Sequence, residues 1–414
     1  MTLRDDVREY FDREARRMPP PAALRSEVVA RAVAAPGRQA PPLRWAAVVA
    51  ALLAVAIVIG LVASGAFRQN KGLVPVGPPI PVTPGMHGLA LDASFANSSD
   101  GWALLAEPSQ RSLGGTIEVE ATHDGGTTWL TPVPVGPPIG EASNADSPRH
   151  IHFVDRDNGF IWGSGTSYVT HDGGRTWDDA HLPNGLVAVT GQEGIAWAVQ
   201  GSFISRTANS VRISPDGGTS WLIAAPPPFA IAGATSFGVT GLLLRGYDPG
   251  YLALTSDGGD SWRPLTSPPC SSDTTAINAA ATADGHQIWE VCTPMPPSNT
   301  VPLTQPLTSS VFVSEDSGRT WARSTVEDGG VGTEWLLTPT PGTALLGTDT
   351  PTGMTITHDA GQTWQRCVTD PNHGSLRALS YSADGSLVVA VEGVYRVWIS
   401  RDGGNNWVEP PSQP

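Results

Sequence analysis

The sequence predicts an all-β fold, a seven-bladed β-propeller, preceded by a short helical segment and one transmembrane helix. Three observations carry this. One eight-residue pattern recurs seven times, its aspartates 48, 44, 41, 59, 43 and 43 residues apart. A β-run precedes each copy. Upstream of the copies lies a second repeat of strand, tight turn and strand. A period of this size with a fixed turn signature belongs to a propeller or a solenoid, and seven units of four strands give a propeller.

The copies are THDGGTTW (122–129), THDGGRTW (170–177), SPDGGTSW (214–221), TSDGGDSW (255–262), SEDSGRTW (314–321), THDAGQTW (357–364) and SRDGGNNW (400–407). All fit Ser/Thr-x-Asp-x-Gly-x-x-Trp. The acid and indole of each copy are Asp124 and Trp129, Asp172 and Trp177, Asp216 and Trp221, Asp257 and Trp262, Asp316 and Trp321, Asp359 and Trp364, Asp402 and Trp407. The runs before them (GTIEVEAT, SYVTH, SVRIS, YLALTS, SVFVS, GMTIT, YRVWIS) show the alternation of half-buried strands. An Asp at the start of a turn accepts hydrogen bonds from the turn's own N–H groups, and the glycine supplies a positive φ. The Trp begins the next strand and is expected to fold back onto the hairpin.

Magnitudes rank these parts. A buried Trp removes ~150–250 Å², about 4–6 kcal/mol gross. A charged group bonded to backbone contributes ~1.5–3 kcal/mol. Trp177→Ala is therefore expected to cost about 3–5 kcal/mol, and His171→Ala to stay within about 0.5 kcal/mol. His123, His171 and His358 share a slot that holds Pro215, Ser256, Glu315 and Arg401 in the other copies. That variability speaks against a catalytic role for the slot.

The second repeat reads ASFANSSDGWALLA (93–106), IHFVDRDNGFIWGSG (151–165), AVTGQEGIAWAVQG (188–201), AAATADGHQIWEVC (279–292) and ALSYSADGSLVVAVEG (378–393), with a looser match at 232–246. These segments are expected to be the two inner strands of each blade. LVPVGPPIP (73–81) echoes PVPVGPPIG (132–140), which follows the first copy as an outer strand. It is a candidate to pair with the last blade and close the ring.

The seven copies resemble the Asp-box, or bacterial neuraminidase repeat, which sialidase-like and sortilin-like propellers carry between the third and outermost strand of a blade. The resemblance spans about 89–410 and implies rim turns rather than a reaction centre. Phe153 to Phe160, and Phe95 to Trp102, are similar to the inner hairpin of the photosystem II assembly and stability factor propellers, which implies a binding platform without catalysis. Sialidases need an arginine triad, a Tyr/Glu pair and an Arg-Ile-Pro motif. No Arg-Ile-Pro occurs in this sequence, and Tyr168, Tyr247, Tyr251, Tyr381 and Tyr395 have no evident glutamate partner. Arg149, Arg156, Arg245 and Arg377 are the arginines that a pocket would draw on. Xyloglucan-type glycosidases use two propellers, against one in this chain.

Weaker signals have simpler readings. Asp155-x-Asp157-x-Gly159 hints at a calcium loop, but an EF-hand needs Gly and Glu where Phe160 and Thr166 stand. His150-x-His152 puts two imidazoles on one strand face with no third ligand in view. The insert TPMPPSNTVPLTQPLT (293–308) lengthens the fifth unit and is a candidate contact loop. No cofactor or metal site is expected. Three cysteines are too few for a disulfide scaffold, and no Cys-x-x-Cys pair is present.

Residues 46–63 contain no polar side chain. From Trp45 to Phe67 a helix would reach about 34 Å, enough to cross a bilayer core of about 30 Å. A cleaved signal peptide would not carry a 44-residue charged region before it. Nine arginines precede the span and only Arg68 and Lys71 follow closely, so the N-terminus is expected in the cytoplasm and the remainder outside. An oxidising exterior then allows a Cys270–Cys292 disulfide and leaves Cys367 over. The expected domains are a cytoplasmic helical stub (1–43), a transmembrane helix (44–67), a linker (68–88) and the propeller (89–410). The stub places Leu3, Val7, Tyr10, Phe11 and Ala15 at helical spacing, and its layout resembles the cytoplasmic segment of membrane-bound anti-sigma factors.

Three functions follow as expectations. The first is a membrane-anchored, extracytoplasmic and non-catalytic scaffold, held in the bilayer through 45–67 and binding a protein or glycan on the propeller face. The second is a transmembrane sensor whose residues 1–43 hold a cytoplasmic regulator. The third is a sialidase-like hydrolase. Residues 69–414 carry 15 basic against 33 acidic residues, which argues against nucleic acid as the ligand.

Overall fold

The antiparallel runs assemble into seven blades. Blade 1 follows Val82–Thr83 (β1) and contains Leu89–Phe95 (β2), Gly101–Ala106 (β3), Ile117–Thr122 (β4), Trp129–Leu130 (β5) and Val133–Pro134 (β6). Blade 2 is His150–Phe153 (β7), Gly159–Trp162 (β8), Ser167–Thr170 (β9) and Asp178–Asp179 (β10). Blade 3 is Leu186–Gln192 (β11), Ile195–Gln200 (β12), Ser210–Ser214 (β13) and Leu222–Ile223 (β14). Blade 4 is Ile231–Phe237 (β15), Gly241–Gly246 (β16), Leu252–Thr255 (β17) and Arg263–Pro264 (β18). Blade 5 is Thr274–Ala281 (β19), Ile288–Pro294 (β20), Ser310–Ser314 (β21) and Ala322–Ser324 (β22). Blade 6 is Thr333–Leu337 (β23), Ala344–Thr348 (β24), Thr355–Thr357 (β25) and Gln365–Arg366 (β26). Blade 7 is Leu376–Tyr381 (β27), Val388–Glu392 (β28) and Val397–Ser400 (β29), with the Ile399–Val408 bridge as its outer edge.

This is a computed structural model. It describes residues 82–83, 89–106, 117–136, 149–202, 209–265, 269–294, 309–348, 354–367, 376–392 and 396–409, excepting 164, 249, 271–273, 325, 327–332 and 383–385. These residues belong to one unit, Ile80–Pro414. The stub (1–43), the apolar stretch (44–67), the segment 73–81 and most of the insert 293–308 lie outside the described residues. Among the described residues no helix is long and apolar enough to cross a membrane.

Strand order within each sheet follows chain order, so every blade is a meander from the axis outward. The first-to-second and third-to-fourth connections therefore share one end of the strands, the turn face. The second-to-third and blade-to-blade connections share the other, the loop face. The sixth inner hairpin, β23 and β24, turns through Pro339 to Gly342 and lacks the Asp/Asn-Gly signal of its neighbours. In six of the seven inner strands the register shifts by one residue near the start, as between Ala90 and Asp92. Such bulges bend a strand and increase its twist.

The core consists of interfaces between consecutive blades. Each of seven apolar clusters joins one blade to the next, and each contains one indole from the seven turns. Trp177 of blade 2 packs with Trp102 and Leu104 of blade 1, and Trp221 of blade 3 packs with Phe160 of blade 2. This corrects the expected role of the ring: it fastens its blade to the preceding one as well as closing its own hairpin. Trp129 and Trp407 are buried, and the other five are half-buried.

The ring closes by the same packing. Ala90, Ala93, Phe95 and Trp129 of blade 1 meet Val389, Val391 and Ile399 of blade 7. The Ser380 hydroxyl donates to the Ala93 carbonyl (3.0 Å), and the Arg401 guanidinium donates to the Asp124 carbonyl (3.3 Å) and to that of Gly125. Among the described residues no strand is exchanged between the first and last blades. The chain just after 73–81 pairs with blade 1, Val82 opposite Leu130 and Thr83 opposite Trp129.

Candidate functional site

The seven acidic turns share one hydrogen-bond plan. In blade 2 the Thr170 hydroxyl donates to Asp172 Oδ1 (2.9 Å) and accepts from the Gly174 N–H (3.0 Å). Asp172 Oδ1 also accepts from the Thr176 N–H (2.9 Å), while Oδ2 accepts from the Thr176 hydroxyl (2.7 Å). Every copy repeats these contacts, down to Asn406, whose side-chain amide takes the hydroxyl's place on Asp402 (2.6 Å). The donor four residues after the acid (Thr128, Thr176, Ser220, Ser261, Thr320, Thr363, Asn406) is a regularity that the motif as first written leaves unread. The carboxylates are thus held by their own turns. Hydrogen bonds from the Ser261 and Thr255 hydroxyls and the Ser261 N–H bring Asp257 down to about 2. The Thr363 hydroxyl and N–H do the same for Asp359, also to about 2.

In six of the seven copies the residue after the Asp ties the two repeats together. The Gly125 N–H donates to Ser99 O (2.8 Å), Gly173 to Asp157 (2.9 Å), Gly217 to Gly194 (2.8 Å), Gly258 to Thr240 (3.2 Å), Ser317 to His286 (2.8 Å) and Ala360 to Gly342 (2.9 Å). Each acceptor lies in the inner turn of the same blade. Presenting that N–H requires a left-handed backbone. Five copies use glycine there, but Ser317 and Ala360 adopt φ of 59° and 57°. A Cβ in this region costs ~1–2 kcal/mol. Ala360→Gly is expected to raise stability by about 0.5–1 kcal/mol; an unchanged or lower melting temperature would contradict it.

His171 is exposed and bonds Asn158 Oδ1 through Nδ1 (2.8 Å), as His123 bonds Asp100 (2.7 Å). The inner turn is likewise saturated. Asp155 Oδ1 accepts from the Asp157 and Asn158 N–H groups (2.8 and 2.7 Å), and Oδ2 accepts from the Asn158 amide (2.8 Å). These are contacts of a hairpin turn. Asp172→Ala removes four donors from one carboxylate and is expected to cost ~1.5–3 kcal/mol, against about 0.5 kcal/mol for His171→Ala. Urea denaturation of the two variants separates them; equal losses would mean that the acid does not organise the turn.

A ring of polar contacts joins the inner strands. Ser94 Oγ accepts from the Phe153 N–H (2.9 Å), Thr190 meets Ser236 (2.7 Å), and the Thr235 hydroxyl donates to Ala279 O (3.2 Å). His152 Nε2 donates to Gly191 O (2.8 Å), and burial pushes its imidazole below the usual range. His152 is thereby committed to blade 3, while His150 is exposed, 3.6 Å from Asp92 and stacked on Trp162. The strand's two imidazoles do not converge on one ligand. On the axis lies a cavity of about 160 Å³, lined by Phe95, His152, Gln192, Leu337, Tyr381 and neighbouring polar and apolar residues, with no Asp, Glu, Lys or Arg among the described residues of its wall.

Among the described residues the arginines do not gather. Arg149 is exposed where β7 begins on the loop face, and Arg156 is exposed in the turn face of the same blade. Arg245, half-buried between blades 4 and 5, has its guanidinium pushed below its usual range by burial, against the opposing pull of Glu290 and Tyr247. Tyr247 and Tyr251 are exposed in the loop that follows β16. Residues 377 (as a side chain) and 395 lie outside the described residues.

Beside Arg245 the two cysteines paired in the sequence reading meet a buried carboxylate that it did not single out. Cys270, in the connection from blade 4, is bridged to Cys292 at the end of β20. Glu290, two residues earlier on the same strand face, is fully buried, and neither carboxylate oxygen completes a hydrogen bond. Burial pushes its carboxyl up to about 7, with the Cys270 N–H and the Arg245 charge pulling it partly back. The signal available in the sequence was the single charge in IWEVC, a strand otherwise apolar. Cys367 is buried and unbridged.

Fold and site together define a seven-bladed β-propeller with acidic turns between the third and fourth strands of its blades. No known sequence family and no curated protein matches the chain. Among solved structures it is similar to YCF48 bound to D1 peptide, at 17% identity over 79% of this chain and 95% of that one, TM-score 0.50. It is similar to an ancestral GH74 enzyme at 15% identity and TM-score 0.56, over 81% of this chain and only 48% of the enzyme. Hydrazine synthase from Kuenenia stuttgartiensis gives 11% identity, TM-score 0.54 and coverage of 81% and 99%. At these identities the likeness is one of fold, and the fold is shared by enzymes and by a peptide-bound protein alike.

Proposed function

We propose that this chain is a membrane-anchored, extracytoplasmic binding module that engages a protein ligand with the loop face of its propeller and performs no catalysis. In this reading the rim turns are Asp boxes of the neuraminidase repeat, residues 44–67 span the bilayer, and the N-terminus is cytoplasmic. The observation that carries it is the near full-length match in fold to a propeller with a bound peptide. It is supported by an axial cavity with no acid or arginine among the described residues of its wall, and by rim carboxylates already saturated with donors.

The test is to purify the full-length protein from membranes with whatever co-elutes, then titrate the recovered partner against it. Saturable 1:1 binding, with no turnover of xyloglucan or a fluorogenic sialoside, is the expected result. Hydrolysis of either substrate would overturn the proposal. The amphipathic spacing of residues 3–17 favours a second reading, a sensor whose stub holds a cytoplasmic regulator. Retention of a cytoplasmic protein by residues 1–43 alone would select it.

A further inference from the structure

We infer that Cys270, Cys292 and Glu290 form a binding site for a thiophilic divalent metal ion of the zinc type when the Cys270–Cys292 bridge is reduced. The two sulfurs and a Glu290 oxygen all lie within 4.8 Å of one another. The topology puts them there: alternation along β20 carries residues 290 and 292 to one face, and the connection from blade 4 brings Cys270 across that face. The three side chains are 3%, 2% and 0% exposed. A buried carboxylate normally keeps its donors, because burying one without them is costly. Glu290 completes no hydrogen bond at either oxygen, the Cys270 N–H only pulling on it, and its carboxylate belongs to the cluster that contains both sulfurs.

The chemistry balances. A dithiol reductant gives two electrons and two protons to the bridge, and is itself oxidised to a disulfide. The ion then displaces one proton from each thiol, and the carboxyl proton of Glu290 where it is held, and these leave to solvent. Two thiolates and one carboxylate carry three negative charges; the ion supplies two positive charges, and the nearby Arg245 guanidinium, electrostatically coupled to Glu290, supplies the third. The buried group is neutral as a whole, as burial of charge demands. Two thiolates and a carboxylate suit zinc, and three protein ligands leave its fourth position to water or an incoming donor. The inference does not depend on what the propeller binds.

The experiment uses the full-length chain with Cys367→Ser, which removes the third thiol. The protein is reduced with a phosphine, desalted without oxygen and titrated with Co²⁺. Expected are a sulfur-to-cobalt charge-transfer band saturating at one equivalent, its displacement by Zn²⁺, and its absence from the oxidised protein. Glu290→Gln should weaken binding by at least ~10-fold, the scale of loss that removing an outer-shell partner alone produces. Cys292→Ser should abolish the band. Circular dichroism of each variant confirms that the fold is kept. Three results would overturn the site: no band in the reduced protein, equal binding by the Glu290→Gln variant, or loss of the native spectrum on reduction.

Discussion

Replacing Trp129 with alanine is expected to cost the protein about 4 kcal/mol, near the top of the range for a large aromatic deleted from a core. The ring is fully buried at the seam between the last blade and the first, edge-on to Phe95 at 6.4 Å. Its Nε1–H has no hydrogen-bond partner, so the loss is one of apolar area and of the cavity left behind. No shared strand backs up this seam among the described residues, and the contacts that remain are those of Ser380, Arg401 and the aliphatic cluster. Trp177 makes the contrasting case. It is half-buried, 5.9 Å from Phe153, and its Nε1–H donates to Gly174 O (3.2 Å). Its removal should cost about 2–3 kcal/mol, less than full burial would give. Urea unfolding of both variants measures the difference. If Trp177→Ala proves as damaging as Trp129→Ala, the seam holds no special share of the ring's stability.

The seven blades were legible because a turn signature and a β-period repeat in phase, and each repeat alone specifies a local hairpin. The acid, its glycine and the indole could be read from THDGGRTW without any other part of the chain. What the indole packs against could not, since the neighbouring blade is 40 or more residues away and periodicity within one blade says nothing of it. The link from Ala360 N–H to Gly342 O escaped for the same reason: it joins two repeats that the sequence presents as separate patterns. Ring closure was harder still. The echo at 73–81 suggested strand exchange, while β27 packing on β2 leaves no mark in either segment beyond apolar alternation. Arg245 read as one of four arginines available to a pocket, and Glu290 was not singled out. Only the meeting of blades 4 and 5 buries them.

With the disulfide intact, that burial makes stability depend on pH in a direction opposite to ordinary acid denaturation. Glu290 has a carboxyl raised from 4.5 to about 7 in the folded protein, chiefly by desolvation. Below pH 4.5 it is protonated in both folded and unfolded chains and costs nothing extra. Between 4.5 and 7 the folded state holds a proton that the unfolded state releases, so stability falls as pH rises through this window. Above 7 the penalty is complete, on the order of 3 kcal/mol at 1.36 kcal/mol per pKa unit. Glu290→Gln keeps the shape and cannot ionise. The variant and the parent should therefore unfold at similar urea concentrations at pH 5, with the variant ahead by about 2–3 kcal/mol at pH 8. Arg245 works against this gain, because it loses the partner that offsets its own desolvation; a double variant with Arg245→Met isolates that part. Parallel stability curves for parent and Glu290→Gln from pH 5 to 8 would show that the carboxyl titrates alike in both states, and that water or a donor reaches it between the blades.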